Sequence, residues 1–196
     1  MKEPTFEMKG SALGDYVGIS WLMRDVDGVR LVGHGGDTIG QHSDFVMVPE
    51  RNFAISSLTN CGPNGNEFNT KVVQWALEAY AGVVDKDPEP LALSEGELAQ
   101  YAGTYETIAV WVDLIAKAPN LEVNVRIKPE TLKQLMEEGE DVPEPTPIPL
   151  AILPGEGDRY IVPEGPAKGM KGYFMRNAAG QIEAVHVGGR LAKRTG

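Results

Sequence analysis

Between Val32 and Glu50 the chain reads VGHGGDTIGQHSDFVMVPE, which sets His34, Asp37, His42 and Asp44 among glycines. Four chemistries suit those residue types. A loop that cradles phosphate needs a helix start behind its glycines or a G-x-x-x-x-G-K-[ST] pattern. Neither is present, so an anion would have no helix N-terminus to face. Zinc takes three or four ligands of these types, but the four positions straddle an expected bend that need not bring them together, and no metal or other cofactor is expected. His42-Ser43-Asp44 holds the residues of a hydrolase triad side by side. Neighbours on a strand point to opposite faces, so Ser43 cannot line up with both. What remains is a strand that works through its backbone. Gly33, Gly35 and Gly36 carry no side chain to hold a ligand away from main-chain N–H and C=O groups, and His34 would project beside them as a donor. The same glycines equally suit a twist or bulge against a neighbouring element.

Strands and one helix must position that segment. DYVGISWLMRD and VRLVGHGG flank DVDG, whose Asp27-Gly28 pair suits a hairpin turn. SDFVMVPE and NFAISSLTN flank PERN, a second hairpin. Asn64 or Asn66 can cap a helix running to about Ala81, in which Phe68, Val72, Ala76 and Tyr80 recur on one face with Val73 and Leu77. That face should lie on the sheet. Pro88 and Pro90 then favour an extended linker over residues 84–93, dividing residues 1–83 from 94–196.

Beyond the linker, Ser94 and Glu97 form a capping box that starts a short helix. From GTYE onward, IAVWVDLIAK, LEVNVRI, IPLAILP, DRYIVPE, GYFMRN, QIEAVHVGG and RLAKR are short alternating segments broken by Gly, Pro and Asn, the pattern of an antiparallel barrel or sandwich. One helix interrupts them, with Pro129 in its first turn and a Pro-rich loop after it. Tyr101, Tyr105, Trp111, Tyr160, Tyr173 and Phe174 are candidates for the interior or rim, His186 is an ordinary strand histidine, and Arg190 could close one end on loop carbonyls.

Composition narrows the partners. The net charge of −10 and a pI near 4.8 disfavour nucleic acid, which calls for clustered Lys and Arg. The single cysteine, Cys61, leaves no intrachain disulfide. No run approaches the ~20 apolar residues of a membrane-spanning helix, and MKEPTFEMKG lacks the apolar centre of a signal peptide, so localisation stays unassigned.

The run from Tyr16 to Asn60 and the helix after it resemble the C-terminal end of the catalytic domain in penicillin-recognising serine hydrolases: class C β-lactamases, DD-peptidases and related esterases. The matching features are the G-x-S-W segment, the G-H-G-G-x-T-x-G box, the x-x-P-E-x-x-F hairpin and the L-T-N strand end. LAQYAGTYE and GYFMRNAAGQIEAVHVGGRLAKR look like the lipocalin-like domain attached to many such enzymes. The resemblance implies an α+β chain: an antiparallel sheet remnant with a C-terminal helix over residues 1–83, then a lipocalin-like all-β antiparallel barrel over 94–196.

Three motifs meet in that family's cleft: Ser-x-x-Lys as nucleophile and base, Tyr or Ser with Asn beside them, and Lys-Thr-Gly or His-x-Gly on the edge strand. His34-Gly35-Gly36 matches the third. By resemblance, His34 orients the substrate and the backbone N–H of Asp37 supplies one oxyanion donor, a contribution typically worth ~3 kcal/mol of barrier. Neither other motif is present. Ser11, Ser20, Ser43, Ser56, Ser57 and Ser94 all lack a lysine three positions on, and no Tyr or Ser has Asn two positions on. The chain is therefore expected to carry the wall of an acyl-transfer site without nucleophile or base, and to be inactive alone against amides, peptides, esters or β-lactams. The alternative is a non-catalytic module, either a barrel holding a small ligand or a sheet that joins a partner. Exposed strand edges make self-association an expectation under both.

Overall fold

The computed structural model describes residues 2–11, 13–38, 40–62, 65–137, 146–155, 157–165, 167–187 and 189–195. Asn64 and most of the Pro-rich loop fall outside them. The chain divides into two compact units, Met1–Asp87 and Pro88–Gly196. The first is a sheet with one helix and the second a closed barrel, so the class is α+β.

In the first unit, β1 (Phe6–Ser11), β2 (Gly14–Val17), β3 (Leu22–Val26), β4 (Val29–Gly33), β5 (Gly36–Thr38), β6 (Gln41–Val48) and β7 (Phe53–Thr59) precede helix α1 (Gly65–Ala76). All pairings are antiparallel. Strand β6 is the backbone of the arrangement, with β4 and β5 end to end on one side and β7 on the other. The β3–β4 turn has positive φ at both Asp27 (50°) and Gly28 (77°), the two-residue hairpin geometry that Asp-Gly favours. DYVGISWLMRD is not one strand. Gly18 N–H donates to Trp21 O at 2.8 Å and Ser20 has φ 62°, so the segment folds back on itself as β2 and β3.

Val29, Leu31, Val46 and Val48 from the sheet meet Val73, Leu77 and Ala81 from the helical segment in one buried cluster. The face of α1 differs from the expected one. Phe68 and Tyr80 are 57% and 69% exposed, whereas Asn69 is buried among Val73, Ala76 and Leu77. A strict four-residue spacing drifts around a helix of 3.6 residues per turn, and a polar residue conceals a core position. Asn69 tolerates burial because Ser57 Oγ donates to its Oδ1 at 2.8 Å.

In the second unit, α2 (Glu95–Leu98) carries the Ser94–Glu97 capping box, and α3 (Pro129–Glu137) separates β10 from β11. Strands β8 (Gly103–Glu106), β9 (Val110–Lys117), β10 (Asn120–Ile127), β11 (Ile148–Ile152), β12 (Arg159–Ile161), β13 (Lys171–Arg176), β14 (Ile182–Val187) and β15 (Arg190–Arg194) each pair with the next, and β15 pairs with β8 to close the barrel. Tyr101, Tyr105, Tyr160 and Phe174 fill the interior with Val112, Leu121 and Leu150. That packing counts against the small-ligand cavity of the alternative reading. Trp111 and Tyr173 are only partly buried: Arg126 lies over the Trp111 ring at 5.1 Å, and Tyr173 stacks on His186 at 4.9 Å. Arg190 is exposed, and Arg194 does the closing instead, donating to Ala102 O at 2.6 Å and Gln100 O at 3.2 Å.

A polar knot ties the barrel's chain entry to its loops. Arg176 holds Asp158 through Nε and Nη2, both at 2.7 Å, and Tyr101 Oη donates to Asp158 at 2.7 Å. The Arg176 contact holds the Asp158 carboxyl below the usual carboxylate range, against the opposing effect of burial. Burial, and then the carboxylate beside it, push the Tyr101 hydroxyl up to about 12. A carboxylate with a depressed folded pKa contributes stability fully present above its unfolded value, roughly 3.9, and lost as pH falls through the folded value. Asp25, Asp113 and Glu122 are shifted the same way by Arg30, Arg126 and Lys117. The melting temperature should therefore fall on acidification below about pH 4. Asp158→Asn should melt lower at neutral pH and show a shallower acid slope, and identical slopes in differential scanning calorimetry would refute the assignment.

Candidate functional site

The GHGG segment is a continuation of β4 along β6. Val32 pairs with Met47, Gly33 with Val46, Gly36 with Ser43 and Asp37 with His42, all in one register, and between them His34 N–H donates to Phe45 O at 3.0 Å. Alternation then fixes the backbone directions. Residues 34 and 36 turn their N–H and C=O groups toward β6, while Gly35 and Asp37 turn theirs toward the side where no strand pairs among the described residues.

The glycines have separate causes. A Cβ on Gly33 would lie 2.2 Å from Phe45 O, so close strand approach dictates that residue. Gly35 and Gly36 are exposed, and a Cβ on Gly36 would meet only Ser43 Oγ, at 3.3 Å. Close packing against β6 thus suits Gly33 and, less severely, Gly35, where a Cβ would lie 3.0 Å from Ser43 O, and the bare-backbone reading suits Gly36 best.

His34 is exposed at the head of this segment, with Nδ1 2.5 Å from Gly35 O. By register its side chain shares a face with Phe45, opposite α1. Asp37 turns its carboxylate to the other face. His42 Nδ1 lies 2.8 Å from Asp37 Oδ1, and Asn66 Nδ2 donates to Oδ2 at 3.3 Å, so the first turn of α1 and β6 together hold the short strand β5. Asn66 therefore acts through Asp37 rather than as a helix cap. Ser43, on the far side from its neighbours, donates from Oγ to Gly36 O at 3.0 Å. The HSD triplet is thus divided between two faces.

Behind this wall the sheet–helix junction is polar and tight. A Cβ on Gly65 would lie 2.3 Å from His42 Cδ2 and 2.5 Å from Thr59 Oγ1. His42 Nε2, Thr59 Oγ1 and Asn69 Nδ2 are buried there without a hydrogen-bond partner among the described residues. Burial raises the Asp44 carboxyl above its ordinary range, with Arg24 opposing. Among the described residues, no three His, Cys, Asp or Glu side chains converge as a metal site would require.

Sequence reasoning picked out His34, Gly35, Gly36 and Asp37, and the structure places them consecutively on one open edge. It missed the tie from His42 and Asn66 to Asp37. The signal was faint: two residue types able to donate to a carboxylate, one of them 29 positions away.

No family model matches the sequence, and no curated protein does. Solved structures show likeness in fold. SurE with D-Leu matches at TM-score 0.60 and 20% identity over 94% of this chain and 40% of that one. A second SurE structure matches at 0.58 and 19%, over 94% and 38%. The octameric penicillin-binding protein homologue from Pyrococcus abyssi is a distant likeness, at 0.35 and 16% over 91% and 37%. The chain spans about two-fifths of the SurE chain it matches first. The likeness to SurE is one of fold and assigns no chemistry. No described helix is long and apolar enough to cross a membrane.

Proposed function

We propose that this chain is the C-terminal part of a β-lactamase-related serine hydrolase, in which His34, Gly35, Gly36 and Asp37 form the wall that holds an acyl substrate while nucleophile and base come from elsewhere. The observation that carries this reading is the outward backbone of Gly35 and Asp37, on a strand edge that has no partner among the described residues, with exposed His34 beside it. A carbonyl laid along that strand could accept from the Asp37 N–H, and as the carbonyl becomes tetrahedral the same donor would meet a developing oxyanion. His34 would polarise the approach. His42 and Asn66 would keep the donor in place through the Asp37 carboxylate, sparing the reaction the cost of ordering it. The reaction in the complete enzyme would be acyl transfer to serine followed by hydrolysis.

Assayed alone against a chromogenic β-lactam and an activated ester, the chain should show no turnover. Turnover abolished by replacing one of its serines would sink the proposal. In a polypeptide that adds Ser-x-x-Lys and Tyr-x-Asn, Asp37→Pro removes the outward N–H at an edge position where proline is tolerated, and kcat should drop about 10²–10³-fold. Asp37→Ala keeps the N–H and loses only the tether, so its loss should be smaller. Equal losses would assign the effect to the carboxylate instead.

A further inference from the structure

Strand β5 has little pairing of its own. Gly36, Asp37 and Thr38 each face one residue of β6, and the Asp37 carboxylate adds its bonds to His42 and Asn66. How firmly Asp37 is held therefore depends on how firmly His42 is held, and the His42 ring has a second nitrogen to satisfy. A carboxylate can only accept, so His42 Nδ1 carries the proton on the bond to Asp37, and Nε2 of the neutral ring must accept a proton from another donor. Among the described residues nothing supplies it, although Nε2 is buried.

Two more unpartnered atoms lie in the same corner. Thr59 is the cross-strand partner of His42, and the point where a Gly65 Cβ would sit meets both His42 Cδ2 and Thr59 Oγ1. Asn69 follows Gly65 by one turn of α1 and shares its face. Its Oδ1 accepts from Ser57 Oγ at 2.8 Å, and Ser57 stands two residues from Thr59 on the same side of β7. Asn69 is 2% exposed and the His42 side chain 11%. Asn69 Nδ2, Thr59 Oγ1 and His42 Nε2 thus come from α1, β7 and β6 to one sealed place, each short of a bond. Buried polar groups are paired with protein or with ordered water, because a dry one forfeits its hydration without return.

The donors and acceptors specify the occupant. It must accept from an amide N–H of Asn69 and donate to the imidazole Nε2. A metal cation cannot accept from N–H, and an anion without a proton cannot donate to Nε2. Gly65 cannot take even a methyl group beside His42 and Thr59, so the occupant is small. We propose that this corner encloses an internal water, which accepts from Asn69 Nδ2, donates to His42 Nε2 and shares its third bond with Thr59 Oγ1. Three bonds is the usual number for a buried water. The line Ser57–Asn69–water–His42–Asp37 then fastens the edge strand to the helix from inside the fold. Asn69 and Thr59 are positioning residues for the Asp37 backbone, acting through the water and the imidazole.

The water belongs to the fold and not to the reaction, so its test can fail while the hydrolase reading stands, and the reverse. A crystal structure of the chain at atomic resolution should show one density peak within about 3.2 Å of all three atoms. In solution, the His42 Nδ1 proton should appear by NMR as a slowly exchanging signal. Thr59→Val keeps the side-chain shape and removes the hydroxyl, so exchange of that proton should quicken about tenfold, the effect of one lost hydrogen bond, with an unchanged circular dichroism spectrum. Thr59→Ser keeps the hydroxyl and should exchange at the parental rate. Absence of the density peak, or equal exchange in Thr59→Val and Thr59→Ser, would overturn the proposal.

Discussion

Phe174→Ala should destabilise the barrel by about 3–5 kcal/mol, the usual range for emptying a buried aromatic site. Phe174 is 3% exposed and lies 4.8 Å from the Tyr101 ring, 6.4 Å from Tyr105 and 5.8 Å from Tyr160. Those rings cannot readily collapse into the space. Tyr105 Oη is fixed on Tyr101 O at 2.7 Å, Tyr160 Oη on His186 O at 2.8 Å, and Tyr101 Oη on Asp158. Relaxation would break a hydrogen bond as well as fill a void, so the loss should sit toward the upper end of the range. Phe174→Leu restores most of the volume and should cost less than half as much. Urea denaturation of the two variants would decide it, and a Phe174→Ala loss below about 1 kcal/mol would show that the ring cluster is not what holds the barrel.

Gly33→Ala comes next in expected effect. Its new methyl would lie 2.2 Å from Phe45 O, a backbone atom that cannot swing aside. The strands must separate locally, which strains packing by about 1–3 kcal/mol and threatens the neighbouring bond from His34 N–H to Phe45 O, whose loss leaves polar groups unpaired at about 1–3 kcal/mol more. Amide exchange at His34 should accelerate while the barrel strands stay protected. Gly36→Ala, whose methyl would meet only the Ser43 hydroxyl at 3.3 Å, should change stability far less. If the two variants were equally stable, the close contact at Gly33 would not be the reason for that glycine.

Local chemistry was legible in the sequence and tertiary choice was not. Asp27-Gly28, the Ser94–Glu97 box and Pro129 at the start of α3 each act within a few residues, so their signals lie together in the text. The turn inside DYVGISWLMRD was missed because Ser20 takes a left-handed conformation that Gly or Asn more often supplies. The helix face was misjudged because burying Asn69 depends on Ser57, which lies on a different element. Arg194 and Arg190 could not be separated, since which of them reaches the carbonyls of Gln100 and Ala102 depends on how β15 meets β8. At the site, the residue types and their order were readable. The outward N–H of Asp37 follows from pairing register, and its tether from contacts across the fold.

The closure of β15 onto β8 also orders events in time. The strand that seals the barrel is the last of the barrel's own strands to be translated, and Thr195 N–H just after it donates to Thr104 O at the start of the same unit. While the ribosome is still delivering β15, β8 and β14 both have open edges. A product stalled or nicked before β15 would therefore leave both of those edges open to wrong strand partners.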